Sequence, residues 1–225
     1  MCRNKRNHNE ETGGYLMPKS FNKITPEIME LAAASKEASR IDPELYTKYD
    51  VKRGLRDLNG KGVLVGITNI SEVTSMKEVD GKRIPIDGEL YYRGYNVQEI
   101  VKNQPFEFHF GFEECTYLLL FGKLPSKDEL QAFNKILSGY RSLPKNFVRD
   151  TIMKRSSKDM MNMLARSVLS LYAYDDNPDD TSAENLMRQS IELIGRFPII
   201  VANAYAVKRH YFDGQSLYIH IPREN

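Results

Sequence analysis

Helix-start signals recur along the second half of this chain, and they constrain its fold more than any other feature. Asn96 stands three residues before Glu99, Ser126 three before Glu129, Ser156 three before Asp159 and Thr181 three before Glu184. At that spacing the first side chain accepts a bond from an orphaned backbone N–H of the first turn. The acidic residue can return a bond to the cap. Apolar residues at helical spacing follow, as with Leu130, Phe133, Leu137 and Tyr140 behind Ser126. Three more starts are marked by proline: Thr25-Pro26-Glu27 ahead of Ile28, Leu31 and Ala32, Asp42-Pro43-Glu44 ahead of Leu45 and Tyr49, and Pro198 ahead of a helix from Ile199 to about Tyr211. Gly122, with Pro125 after it, stops an apolar helix over Glu113–Phe121.

Little chain remains for a sheet. Ile67 to Val79 has the β-branched content of a strand, and Asp80-Gly81 is a hairpin-turn signal. A second Asp-Gly, Asp87-Gly88, precedes a strand from Glu89 to Arg93, which gives two or three short strands in all. The expected fold class is all-α (mainly helical) with a small β hairpin near its start. Residues 1–22 read as a flexible tail, and the folded part runs over 23–225.

Charge and composition exclude several roles. The net charge of +2, from 32 basic and 30 acidic residues, argues against a nucleic-acid or anionic-membrane partner. No apolar run approaches the roughly 18 residues of a membrane span. The first residues, MCRNKRNHNEETGG, are basic and polar with no apolar stretch behind them, unlike a signal peptide. Cys2 and Cys115 offer neither a disulfide framework nor a zinc site, and a reducing cytoplasmic setting is expected.

The chemistry-bearing motifs are weak. Gly60, Gly62 and Gly66 fail the dinucleotide spacing, and Gly54 to Gly60-Lys61 is one residue too long for a phosphate loop and lacks the Ser or Thr after Lys. They read as a turn. Asp175, Asn177 and Asp179 open like a calcium loop, but Asp180 stands where glycine is required and Leu186 where a bidentate Glu is required. They read as a solvated loop before a helix. His8, His109, His210 and His220 share no metal-ligand spacing with a carboxylate, so no metal site is expected. No Ser or Cys sits in a nucleophile elbow. Residue chemistry alone thus nominates no catalytic residue. Met160, Met161, Met163, Leu164, Val168 and Leu171, and Ile191, Leu193 and Ile194 with Ile199, Ile200 and Val201, form wide apolar arcs suited to a core or to a partner.

Several stretches in order carry a family resemblance. These are GVLVGITNISEV (62–73), the strand Gly88 to Tyr95, FEECTYLLLFGKLPSKDEL (112–130), Arg141-Ser-Leu-Pro144, MLARSVLSLYAYDD (163–176) and LIGRFPIIVANAY (193–205). From about Arg53 to Asn225 the chain resembles the N-terminal part of the large helical domain of citrate synthases. The resemblance implies an acyltransferase family that condenses acetyl-CoA with oxaloacetate to citrate and CoA, in the tricarboxylic acid cycle. It implies an Asp that removes the methyl proton, one His that bonds the thioester oxygen, a second at the oxaloacetate carbonyl, and arginines on its carboxylates. Those groups belong beyond Asn225, with the small domain and the C-terminal helices. The chain alone is therefore expected to be inactive, with no catalytic residue and no cofactor. Arg56 resembles an arginine that contacts a CoA phosphate in some members. The resemblance also implies a homodimer through the helices at 159–174 and 197–211. A 2-methylcitrate synthase, or a natural non-catalytic helical paralogue that binds or regulates a full-length synthase, are the alternatives.

Overall fold

The computed structural model describes residues 23–52, 66–102 and 111–222. In chain order these give α1 (Pro26–Ala38), α2 (Glu44–Lys48), β1 (Ser71–Val79), β2 (Lys82–Tyr92), β3 (Tyr95–Asn96), α3 (Val97–Lys102), α4 (Phe112–Phe121) and α5 (Lys127–Ser138). A π-helical turn at Val148–Met153, α6 (Met160–Leu171), a 3-10 turn at Tyr172–Tyr174 and α7 (Ala183–Asp213) follow. The fold is mainly helical with one small sheet. The described residues divide into two compact units, one from Ile24–Ser138 and Asn177–Gly195, the other from Gly139–Asp176 and Arg196–Pro222.

In the first unit the predicted caps form. The Thr25 hydroxyl accepts from the Ile28 N–H at 3.4 Å, and Asn96 Oδ1 accepts from the Gln98 N–H at 2.8 Å. The Ser126 box closes both ways: Ser126 N–H donates to Glu129 Oε2 at 2.8 Å and Glu129 N–H to Ser126 Oγ at 3.3 Å. Lys123 also donates to Glu129, at 2.6 Å. These donors, Lys123 first, pull the Glu129 carboxyl down to about 2. The α4–α5 pair packs through Tyr117, Phe121 and Phe133, the last two rings edge-on at 5.8 Å. Gly122 ends α4 with φ +76°, and a Cβ there would meet Ala38 Cβ at 3.4 Å. The left-handed backbone requires the glycine more than the space does.

The hairpin corrects one expectation. Asp80 and Gly81 do form the two-residue turn, both with positive φ, between Val79 and its partner Lys82. Asp87-Gly88, however, makes no turn, and β2 runs unbroken from Lys82 to Tyr92. The register explains why. Thr74 pairs with Glu89 and Met76 with Pro85, so Ser75 alone faces Ile86, Asp87 and Gly88, and the extra length is absorbed as a bulge.

Arg93 holds this unit together. Its own φ is +49°, in the turn between β2 and β3. From there the guanidinium donates twice to Leu119 O (3.1 and 2.8 Å), to Ala38 O at 3.0 Å and to Asn69 Oδ1 at 2.7 Å. Leu119 and Ala38 lie in the last turns of α4 and α1, where orphaned carbonyls and the helix dipole favour a cation.

In the second unit the buried core is Phe147, Ile152, Met163, Leu171, Ile200, Ala204 and Val207. Two helix starts fall later than predicted. α6 is capped by Asp159, whose Oδ1 accepts the Asn162 N–H at 3.1 Å, while the Ser157 hydroxyl accepts from the Asp159 N–H. Starting at Met160 lines up Met163, Ser167 and Leu171 as the buried stripe. In the first unit, α7 is capped by Ser182 rather than Thr181: Ser182 Oγ accepts the Asn185 N–H at 3.3 Å, and Asp180 holds Ser182 through its N–H and its hydroxyl.

The larger correction concerns Pro198, expected to begin a helix. It lies inside one helix of 31 residues. The ring removes one N–H and crowds the carbonyl four residues back. Burial outweighs this, because Met187 and Ile191 before it and Ile200, Ala204 and Val207 after it are all buried. This continuity also makes α7 long and apolar enough to cross a membrane by length and composition, with less than half of its most apolar stretch buried.

Replacing Pro198 by Ala restores the missing donor. The expected outcome is a gain of about 2 kcal/mol, read as a higher urea midpoint. A lower midpoint would show that α7 needs the proline as a boundary.

Candidate functional site

Buried charge is the first place to look for chemistry, since such groups cluster at functional sites. On the first turns of α7, Arg188 is fully buried and Glu192 nearly so. Arg188 Nη1 lies 3.0 Å from Glu192 Oε1, and its Nε donates to Asn185 Oδ1 at 2.9 Å. The Asn185 amide donates to the carbonyls of Asn177 and Asp180, and the Gln189 amide to that of Pro178. This network fastens the loop of Asn177 and Asp180, the one with calcium-like spacing, onto α7. Asn185 and Gln189 are engaged with backbone, and Arg188 with the side chains of Asn185 and Glu192. The sequence reading missed it, although Arg188 and Glu192 stand four apart on α7, the spacing of an intrahelical ion pair.

In the second unit Asp150 sits in the π-helical turn between Arg149 (2.8 Å) and Lys154 (2.7 Å), whose hydrogen bonds hold its carboxyl well below the usual range. Arg196, also buried, donates to Ser142 O at 3.2 Å. Burial, with a smaller push from Glu114, raises the Cys115 thiol in the first unit, which makes it a poor nucleophile.

The two described histidines have separate partners. His210 Nδ1 lies 2.8 Å from the Gln215 carbonyl, just past the end of α7. His220 is held through its backbone, which bonds the Asn203 amide. His8 and His109 lie outside the described residues, as does Arg56 with Gly54, Gly60 and Gly62. Among the described residues, no three His, Cys, Asp or Glu side chains are grouped to hold a metal. The apolar arcs are only partly core: Met161 and Leu169 on α6 are 73% and 74% exposed, and Tyr172, Phe197, Tyr205 and Tyr211 are exposed as well.

Comparison with known proteins identifies the family that shares these elements. Residues 57–224 match the family model described as citrate synthase, C-terminal domain. The chain is 31% identical to 2-methylcitrate synthase 1 of Corynebacterium glutamicum over 59% of its length and 32% of the relative's. It is 30% identical to the citrate synthase of Saccharolobus solfataricus, over 64% of its length and 35% of that protein's. Among solved structures, citrate synthase from Pyrobaculum aerophilum matches with a TM-score of 0.52 at 26% identity, covering 71% of this chain and 40% of that one. Citrate synthase from Thermoplasma acidophilum, solved as a ternary complex with carboxymethyl coenzyme A and oxaloacetate, shares the fold with a TM-score of 0.54 at 22% identity, over 76% of this chain and 38% of that one. The chain therefore spans about a third of the length of the curated relatives it matches. With three quarters of its residues inside the family model, this chain belongs to the citrate synthase family.

Proposed function

We propose that the chain is the N-terminal part of a cytoplasmic citrate synthase, supplying large-domain helices to an enzyme that condenses acetyl-CoA with oxaloacetate. The family match over residues 57–224 supports the citrate synthase part of this reading. The condensation needs a base for the acyl methyl proton and donors for the developing enolate oxygen. Among the described residues the carboxylates of Glu129, Asp150 and Glu192 are each bound to a cation or a cap. By itself the chain is catalytically incompetent, and the acid–base set is supplied by residues other than these.

A 2-methylcitrate synthase is the second reading. The 2-methylcitrate synthase of C. glutamicum and the citrate synthase of S. solfataricus stand at almost the same identity, 31% and 30%. The acyl groups differ by a single methylene, a difference small enough for a few pocket side chains to decide.

Arg56 contributes a cation to a CoA phosphate in this reading. Titration of the chain with CoA in a calorimeter tests it: Arg56→Ala is expected to weaken binding roughly tenfold, the scale of one charge-assisted hydrogen bond. Equal affinity in both proteins, or no binding to the parent chain, would remove Arg56 from the site.

A homodimer through 159–174 and 197–211 completes the proposal. It is supported by the exposure of Met161, Leu169, Tyr172, Phe197, Tyr205 and Tyr211, apolar surface that association would cover. Sedimentation should find a dimer that Met161→Glu with Leu169→Glu converts to monomer. A parent chain that stays monomeric at high concentration contradicts it.

A further inference from the structure

The residues after α7 are tied back to that helix by its own side chains, His210 and Asn203. Gly214, with φ +68°, turns the chain out of the helix, and Gln215 N–H donates to Arg209 O at 3.1 Å. From there residues 215–222 run without helix or strand. Tyr218, Ile219 and Ile221 face outward, and His220 is exposed. Leu217 packs against the buried cluster of Phe147, Ile152, Met163, Leu171, Ile200, Ala204 and Val207. The far end is fixed by Asn203, which is fully buried on α7.

Asn203 is saturated by backbone. Its Oδ1 accepts the His220 N–H at 2.9 Å. Its Nδ2 donates to His220 O at 3.1 Å and to Ile199 O at 2.9 Å, one turn back on its own helix. Two carbonyls and one N–H face the amide, so only one orientation of the group satisfies all three. The carboxamide thus mimics a neighbouring β-strand toward His220, donating and accepting at a single residue. A buried polar group in this position is costly whenever its partner leaves.

We propose that residues 215–222 form a releasable strap, latched to α7 by the backbone of His220 on the Asn203 amide, and that opening the latch frees the strap and the apolar seat of Leu217 without unfolding α6 or α7. The buried core of the helices, Phe147, Ile152, Met163, Leu171, Ile200, Ala204 and Val207, is drawn from residues outside the strap, which adds Leu217 to its edge. Among the described residues, beyond Gln215 the strap is held inward by Leu217 packing and by the Asn203 amide. This device is independent of the acyl-transfer reading.

Amide hydrogen exchange on the full chain, followed by mass spectrometry, tests the latch. Asn203→Leu keeps the volume near that of the amide but removes both bonds to His220. Peptides covering 216–222 should then exchange about ten to thirty times faster, the scale of two ordinary hydrogen bonds, while peptides from α6 and from 199–210 keep their protection. His220→Pro removes the N–H donor, fixes φ there and has no amide of its own to exchange, so the neighbouring strap amides of Tyr218 and Ile219 should exchange faster in the same direction. His220→Ala keeps the backbone bonds and should leave exchange unchanged. The proposal is overturned if Asn203→Leu and His220→Pro leave the strap as protected as before. It is overturned equally if both strip protection from α6 and α7 together, or if His220→Ala matches His220→Pro. Should Asn203→Leu fail to fold, the two His220 variants decide it alone.

Discussion

α7 exists as one helix because burial outweighs a proline. A helix interior loses a donor and gains a steric conflict at Pro198, on the order of 3 kcal/mol. Each fully buried aliphatic side chain contributes about 2 kcal/mol against that, and the buried residues lie on both sides of the proline. Gly195, three residues before it, adds no side chain to the crowding. The first half of α7 carries Met187, Ile191 and the Arg188–Glu192 pair, and the second half carries Ile200, Asn203, Ala204 and Val207. Breaking the helix at Pro198 would leave both sets to be placed separately.

Most of the fold was legible in the residues because helix caps are local chemistry. Thr25, Asn96 and Ser126 accept the bonds their spacing implied, and Asp80-Gly81 turns the hairpin. The displaced starts were not legible for an equally physical reason. Ser157 and Asp159, like Asp180 and Ser182, can each accept a first-turn N–H, and the choice depends on which side chains the following turns bury. Pro198 read as a start because the penalty is visible in the sequence and the compensating burial is not. Asp87-Gly88 read as a turn because a bulge shows only in the pairing register.

The site was legible in a different sense. Ordinary spacing rules found no motif with chemistry in it, and the family resemblance arose from runs that build structure. The conformation explains what those runs do. Arg93, inside the strand-and-turn motif, is a staple across two helix ends, and the FEECTYLLLFGKLPSKDEL run is a pair of helices, a left-handed glycine stop and a closed capping box. What no spacing rule predicted were the long-range uses of polar side chains: Arg93 to Ala38, Asn203 to His220, Asn185 to Asn177. These depend on tertiary placement, which the sequence encodes only jointly.

The central claim is that these residues are scaffold of a citrate-synthase-family enzyme and hold no condensing machinery of their own. The direct measurement is thiol release from acetyl-CoA or propionyl-CoA by the purified 225-residue chain in the presence of oxaloacetate. The account predicts no CoA release above the protein-free rate with either thioester at any oxaloacetate concentration. Release that saturates with oxaloacetate and scales with the amount of chain would contradict it.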